Sequence, residues 1–145
     1  MKFNKLSADI FVGPQITLDE IADLKELGVR SIIVTRPEQE DPAQPSTSSI
    51  KEAAREAGIV VEQIPVVPGQ LTDKALQRYS DLVAGLERPI FTYCRSGARA
   101  TVLWAMNEAA QGKPVEEILV ATKAAGHDFE ALRSSLVAAA ARASE

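Results

Sequence analysis

The residues of this chain best suited to chemistry stand in one run, Cys94-Arg95-Ser96-Gly97-Ala98-Arg99, headed by the only cysteine. A short apolar stretch, Ile90-Phe91-Thr92-Tyr93, leads into the thiol, and helical spacing follows over 101–111. The order strand, glycine-bearing loop, helix brings unpartnered backbone N–H groups and the positive end of a helix dipole to one point. Both favour thiolate over thiol, and Arg95 and Arg99 add positive charge. The same amides suit an oxyanion, to which a guanidinium offers two parallel donors where lysine offers a point charge. Gly97 permits the positive φ or close approach that a nest of amides requires. A free cysteine is most often an inert buried thiol; here the surrounding loop points to a nucleophile. Cys94 and Arg99 are expected to be catalytic, with Arg95, Ser96, Gly97 and Ala98 binding the substrate oxyanion.

The elements that must position this run alternate along the chain. A strand over 10–14 is followed by a capping box, Thr17-Leu18-Asp19-Glu20, and a helix with Leu18, Ile21, Leu24 and Leu27 at apolar spacing. The β-branched run over 30–35 reads as a buried parallel strand. A long loop follows, Arg36-Pro37-Glu38-Gln39-Glu40-Asp41-Pro42-Ala43-Gln44-Pro45, too polar and proline-rich for an element interior. A helix over 46–57, a strand over 59–64, an irregular segment over 65–70 and a helix over 72–86 come next. The strand before Cys94 and its helix are followed by a helix entered through Pro114 and an Ala-rich helix over 129–141. Strand–helix alternation of this kind predicts three αβα layers around a mostly parallel sheet of four or five strands. In such sheets ligands bind at the C-terminal strand ends, where the loops after 35, 64 and 93 all emerge.

Arg36 leaves its strand toward that edge and is expected to bind a second oxyanion or a donor's carboxylate. Glu38, Glu40 and Asp41 read as a solvated rim, since no histidine or cysteine accompanies them as metal ligands. His127, the only histidine, follows a helix-ending glycine and reads as a C-terminal cap. Tyr93 and Trp104 read as packing residues beside the loop, and the last helix as scaffold or a contact between copies in a homo-oligomer.

Bulk properties narrow the setting. The 145 residues suit one domain over 1–145, and 46% apolar with 25% charged residues is ordinary globular composition. A net charge of -4 argues against nucleic-acid binding. The start of the chain shows no apolar core of a signal peptide, and no run approaches the roughly 18 residues that span a bilayer. One cysteine excludes an internal disulfide, so a reducing cytoplasm is the expected compartment. No cofactor or metal is implied.

Here the chain resembles known families. The loop from Cys94 to Arg99 is similar to that of rhodanese-type sulfurtransferases, with the pattern Cys-Arg-x-Gly-x-Arg/Thr, whereas the surrounding chain resembles the dual-specificity phosphatase fold. Thr35-Arg36-Pro37 with Gln44-Pro45, Ile64-Pro65-Val66 with Gly69, and the stretch over 93–104 together resemble the beta-lactamase-hydrolase-like, phosphatase-fold sulfurtransferases. Some of that family are fused to a persulfide dioxygenase. The resemblance covers about 10–111 and implies a (phosphotyrosine protein phosphatase)-like fold.

Two departures from tyrosine phosphatases bear on the reaction. Those enzymes place the arginine after five intervening residues; here Arg99 comes after four, and Ala100 holds the sixth place. They also carry an aspartate on the loop after the third strand, worth about 10²–10⁴ in rate as a general acid. The segment Pro65-Val66-Val67-Pro68-Gly69-Gln70 has no carboxylate, and Asp73 stands at a helix start, where it serves the dipole. Sulfur transfer expels sulfite or a thiolate and needs no such proton. The expectation is therefore a sulfurtransferase, moving sulfane sulfur from thiosulfate or glutathione persulfide through a Cys94 persulfide, with a persulfide dioxygenase as partner. The alternatives are a phosphatase working through a phosphocysteine and a redox or persulfide sensor that does not turn over.

Overall fold

A computed structural model describes residues 3–143; the extreme ends of the domain expected over 1–145 lie outside the described residues. Five short strands form the sheet: β1 (Asn4–Ser7), β2 (Ile10–Gly13), β3 (Ser31–Val34), β4 (Val60–Gln63) and β5 (Ile90–Tyr93). Their order is β1-β2-β5-β3-β4. Only the β1–β2 pair is antiparallel, and β5 runs parallel between β2 and β3. The mostly parallel sheet is thus as expected, and β1 is the element that the sequence pattern does not announce. It is a polar edge strand in which Leu6 alone is buried, so it shows no run of alternating apolar residues.

The central strands explain the β-branched runs. Every residue of β3 and β5 is buried, because each strand has neighbours on both sides and helices over both faces. Side chains alternate across the sheet. Ile33, Val12 and Ile90 join Leu103, Trp104, Tyr79 and Leu136 in one core. Ile32, Phe91 and Val34 join Ile21, Leu24, Ile50 and Ala54 in the other. Helices α1 (Glu20–Glu26) and α2 (Thr47–Glu56) therefore cover one face, and α3 (Asp73–Gly85), α4 (Ala98–Ala110), α5 (Val115–Ala124) and α6 (Arg133–Ala143) the other.

The helix starts follow their local chemistry. Ser46 accepts from the Ser49 N–H at 3.1 Å, and Thr72 from the Ala75 N–H at 3.1 Å. The capping box closes in both directions: Thr17 N–H donates to Glu20 Oε1 at 2.8 Å, and Glu20 N–H to Thr17 Oγ1 at 3.3 Å. The regular helix nevertheless begins only at Glu20, so Leu18 lies in the preceding turn and Leu27 just past the end. Both are exposed, at 46% and 36%, contrary to the apolar face expected of them. Ile16, which is fully buried, covers the core in their place. The expected last helix over 129–141 divides into a single 3₁₀ turn, Glu130–Leu132, and α6.

Strand register sets up the site. Gly13, Tyr93 and Val34 lie side by side at the C-terminal ends of β2, β5 and β3. The segments that leave these strands, carrying Gln15, Cys94 and Arg36, therefore emerge next to one another on a single edge.

Candidate active site

Cys94 directly follows β5 and is only 1% exposed. The chain then turns at Gly97, whose φ of +95° is the left-handed conformation that caps α4. The turn aims the Gly97 N–H at Cys94 Sγ, 3.1 Å away, a donor placed to hold negative charge on sulfur. Glycine is required there for space as well. A Cβ at this position would stand 3.2 Å from the Gly13 carbonyl oxygen and 3.3 Å from His127 Nε2. Thr101, fully buried, donates its hydroxyl to the Gly97 carbonyl at 2.7 Å, and Gln15 N–H donates to the Arg95 carbonyl at 3.1 Å. The loop is thus tied to α4 on one side and to the end of β2 on the other. Arg95 and Ser96 are exposed at its rim, and Ala98, partly buried, donates its N–H to Ser96 Oγ at 3.3 Å.

Arg99 lies in the first turn of α4. Its Nη1 donates to Glu40 Oε2 at 2.7 Å and to the Val66 carbonyl at 2.7 Å, while Nη2 donates to Glu40 Oε1 at 2.7 Å. The Glu40 hydrogen bond, and to a lesser degree the Cys94 sulfur, raise its pKa above the ordinary arginine value, against an opposing effect of burial. Glu40 lies at the exposed rim, but its side chain is 20% exposed and joins two arginines. Arg36 Nε donates to Glu40 Oε1 at 2.9 Å, and Arg36 Nη1 to Gln15 Oε1 at 3.1 Å. The Arg99 hydrogen bond is the main cause that holds the Glu40 carboxyl down at about 2, so near neutral pH it has no proton to give.

The other carboxylates of that loop also have structural partners. Glu38 Oε1 accepts from both the N–H and the hydroxyl of Thr47, at 2.7 and 2.6 Å, anchoring the loop to the start of α2. Those bonds lower its pKa. Asp41 accepts from Ala43 N–H at 2.9 Å, and Gln44 Nε2 donates to the Pro37 carbonyl at 2.9 Å. Glu38 and Glu40 do lie at an exposed rim, as expected, but the segment is also folded back on itself by side chain–backbone bonds, which no periodic pattern reveals. The Arg36–Glu40 pair separated by four residues outside any helix was the available hint.

Arg36 itself is 3% exposed. The structure places it against Glu40 and Gln15, buried within the network rather than open to a second oxyanion. The segment after β4 contributes the Val66 carbonyl to Arg99 and carries no carboxylate. Asp73 lies elsewhere, lining a groove with Met106 and Asn107 between α3, α4 and α6. Tyr93 is buried and stacked on Phe91 with centroids 5.8 Å apart, and burial pushes its hydroxyl pKa up. Trp104 is buried with Lys113 Nζ 5.6 Å from its ring. His127 does close α5, its N–H donating to the Thr122 carbonyl at 2.9 Å, but its ring also reaches Gly97 and stacks on Phe129. Burial lowers its pKa. Among the described residues no group of three or more metal-ligating side chains gathers, and no helix is long and apolar enough to cross a membrane.

Fold and site together define a phosphatase-like α/β domain with a cysteine at the head of the loop between β5 and α4. The chain belongs to the family described as the phosphatase-like domain of beta-lactamase hydrolase-like proteins, whose model matches residues 2–111. It is 32% identical over 113 residues to a beta-lactamase hydrolase-like protein of Xylella fastidiosa, a match covering 78% of this chain and 26% of that protein. The chain thus spans about a quarter of that curated relative. A candidate phosphatase from Neisseria meningitidis superposes with a TM-score of 0.87 at 32% identity, covering 96% of this chain and 99% of that one. The catalytic core of an S. cerevisiae PP-IP phosphatase superposes with a TM-score of 0.73 at 19% identity, covering 95% and 84%, which shows the fold alone. The sulfurtransferase expectation drawn from the loop spacing has no counterpart in these names. They carry the phosphatase alternative.

Two outcomes follow from this geometry. Gly97→Ala forces a side chain into a left-handed residue and against the Gly13 carbonyl, costing about 1–3 kcal/mol; thermal unfolding should show a lowered Tm. Glu40, with a folded pKa of about 2 against an ordinary 4.5, releases its proton more readily folded than unfolded. Its stabilising effect is complete above about 4.5 and disappears as pH falls toward 2. Between those limits the Tm of the wild type should fall more steeply than that of Glu40→Gln, measured by calorimetry at stepped pH.

Proposed function

We propose that this domain is a cysteine-nucleophile phosphatase, acting on phosphate esters or anhydrides whose leaving group departs without a proton. The observation that carries this reading is the Gly97 N–H on Cys94 Sγ, at the head of a helix whose first turn supplies Arg99. The Cys94 thiolate attacks phosphorus; the S–P bond forms as the bond to the leaving oxygen breaks, and that oxygen departs with the electron pair. Loop amides and Arg99 hold the non-bridging oxygens throughout. Water then attacks the phosphocysteine, releasing inorganic phosphate and the thiolate, with the water proton passing to solvent. The shared fold and the candidate phosphatase at 32% identity support this reading.

A second reading has its own observations: the four-residue spacing from Cys94 to Arg99, and an ionised Glu40 as the carboxylate bound to Arg99. Both suit sulfur transfer, in which the thiolate attacks the outer sulfur of thiosulfate, the S–S bond breaks and sulfite leaves with the electron pair. A thiol or cyanide then takes the sulfane sulfur. Glutathione persulfide as donor and a persulfide dioxygenase as partner belong to this reading.

Parallel initial-rate assays of p-nitrophenyl phosphate hydrolysis and thiosulfate-to-cyanide transfer separate the two. Phosphatase turnover that falls by about 10³ or more in Cys94→Ser is the expected result, as for loss of a covalent nucleophile. Rates should also drop steeply as the leaving-group pKa rises, since no acid assists departure. Thiocyanate formation without phosphate release would replace the first reading with the second.

A further inference from the structure

A guanidinium has five N–H donors in a fixed fork. In Arg99 both Nη1 protons are engaged, one by Glu40 and one by the Val66 carbonyl, and one Nη2 proton is engaged by Glu40. The donors not taken by Glu40 or Val66 are Nε–H and the second Nη2–H, which in a planar guanidinium project in parallel from one edge, and the remaining group with which Arg99 hydrogen-bonds is the Cys94 sulfur. Such an edge can grip two oxygens of a single anion side-on. Glu40 is gripped end-on, by Nη1 and Nη2 together, and so leaves the side-on edge to another anion.

Glu40 is itself held. Its Oε1 accepts from Arg36 Nε at 2.9 Å, and Arg36 is 3% exposed with its Nη1 on Gln15. The Gln15 N–H donates to the Arg95 carbonyl, one residue past the nucleophile. A closed chain of contacts thus runs from the Cys94 loop through Gln15, Arg36 and Glu40 to Arg99 and back to α4.

We infer that Glu40 is a positioning residue for Arg99, clamping the far end of its guanidinium so that the Nε–H and Nη2–H pair faces an oxyanion above Cys94, with Arg36 clamping Glu40 in turn. The inference rests on the reading of Cys94 and Arg99 as an oxyanion site, common to both reactions above. Orientation of this kind matters because an unheld arginine gives up rotamer freedom each time it binds, whereas a clamped one has already done so.

The test uses the single cysteine of the chain, so that alkylation reads one thiol. Iodoacetate carries a carboxylate to the sulfur and iodoacetamide does not. The ratio of their rates reports how well donors beside Cys94 receive an anion, without any need for turnover. The wild type should favour iodoacetate, and Arg99→Ala should lose that preference. Glu40→Gln should lower the ratio about tenfold, the scale of one charge-assisted hydrogen bond, with the iodoacetamide rate retained. Glu40→Asp should recover part of it. An unchanged ratio in Glu40→Gln would reduce Glu40 to a loop fastener and overturn the proposal. A raised ratio would overturn it too, by showing a carboxylate that competes with incoming anions. No preference in the wild type would show that Arg99 presents nothing to an anion at Cys94. The expected ratios in a protein that turns over neither phosphate ester nor thiosulfate would overturn the assigned reactions and leave the role of Glu40 standing.

Discussion

The left-handed turn at Gly97 fixes the loop that carries Cys94. It ends the path of the central strand, starts α4, and turns an N–H toward Cys94 Sγ. A side chain there would be strained by the left-handed backbone and would press on the Gly13 carbonyl and the His127 ring, 3.2 and 3.3 Å from a Cβ. The end of β2, the α5–α6 connection and the Cys94 loop are therefore closely packed. Thr101 secures the same residue from within α4. A shift at any of these neighbours would move the amide that faces the sulfur.

A second constraint lies across the site, where two buried or half-buried arginines share one carboxylate. Desolvated charges are costly unless paired and hydrogen-bonded, and here the pairing is nearly complete: Glu40 meets both guanidiniums, Gln15 and the Val66 carbonyl take further donors. The arrangement decides what Glu40 is for. A carboxyl held at about 2 is a fixed anion near neutral pH and has no proton for a leaving group. The reaction proposed above accordingly expels a stable anion.

Much of this was legible before any coordinates. The β-branched run at 31–34 and the apolar run at 90–93 are buried on both faces of a parallel sheet, and a residue pattern records that directly. Thr72 and Ser46 cap their helices as their types imply. Cys94, Gly97 and Arg99 converge because they lie within one turn of chain. What stayed hidden depends on separation. Glu40 meets Arg99 across 59 residues, through a loop shaped by the hydrogen bonds that Glu38 accepts from Thr47 and that Gln44 donates to Pro37 rather than by a period. Arg36 was legible as a residue at the active edge, but its burial behind Glu40 was not. The glycine before His127 marks it as closing a helix, while its contact with Gly97 comes from the packing of α5 and α6 against the sheet. β1 has no sequence signature because a polar edge strand of four residues leaves almost no pattern.

Cys94 is proposed to become covalently bound to the group it transfers. Intact-mass and peptide mass spectrometry of the protein, acid-quenched while incubated with an aryl phosphate, tests this most directly. A phosphoryl adduct on the Cys94 peptide, absent from Cys94→Ser, is expected. Steady release of inorganic phosphate with Cys94 unmodified at every quench time, and undiminished in Cys94→Ser, would contradict it.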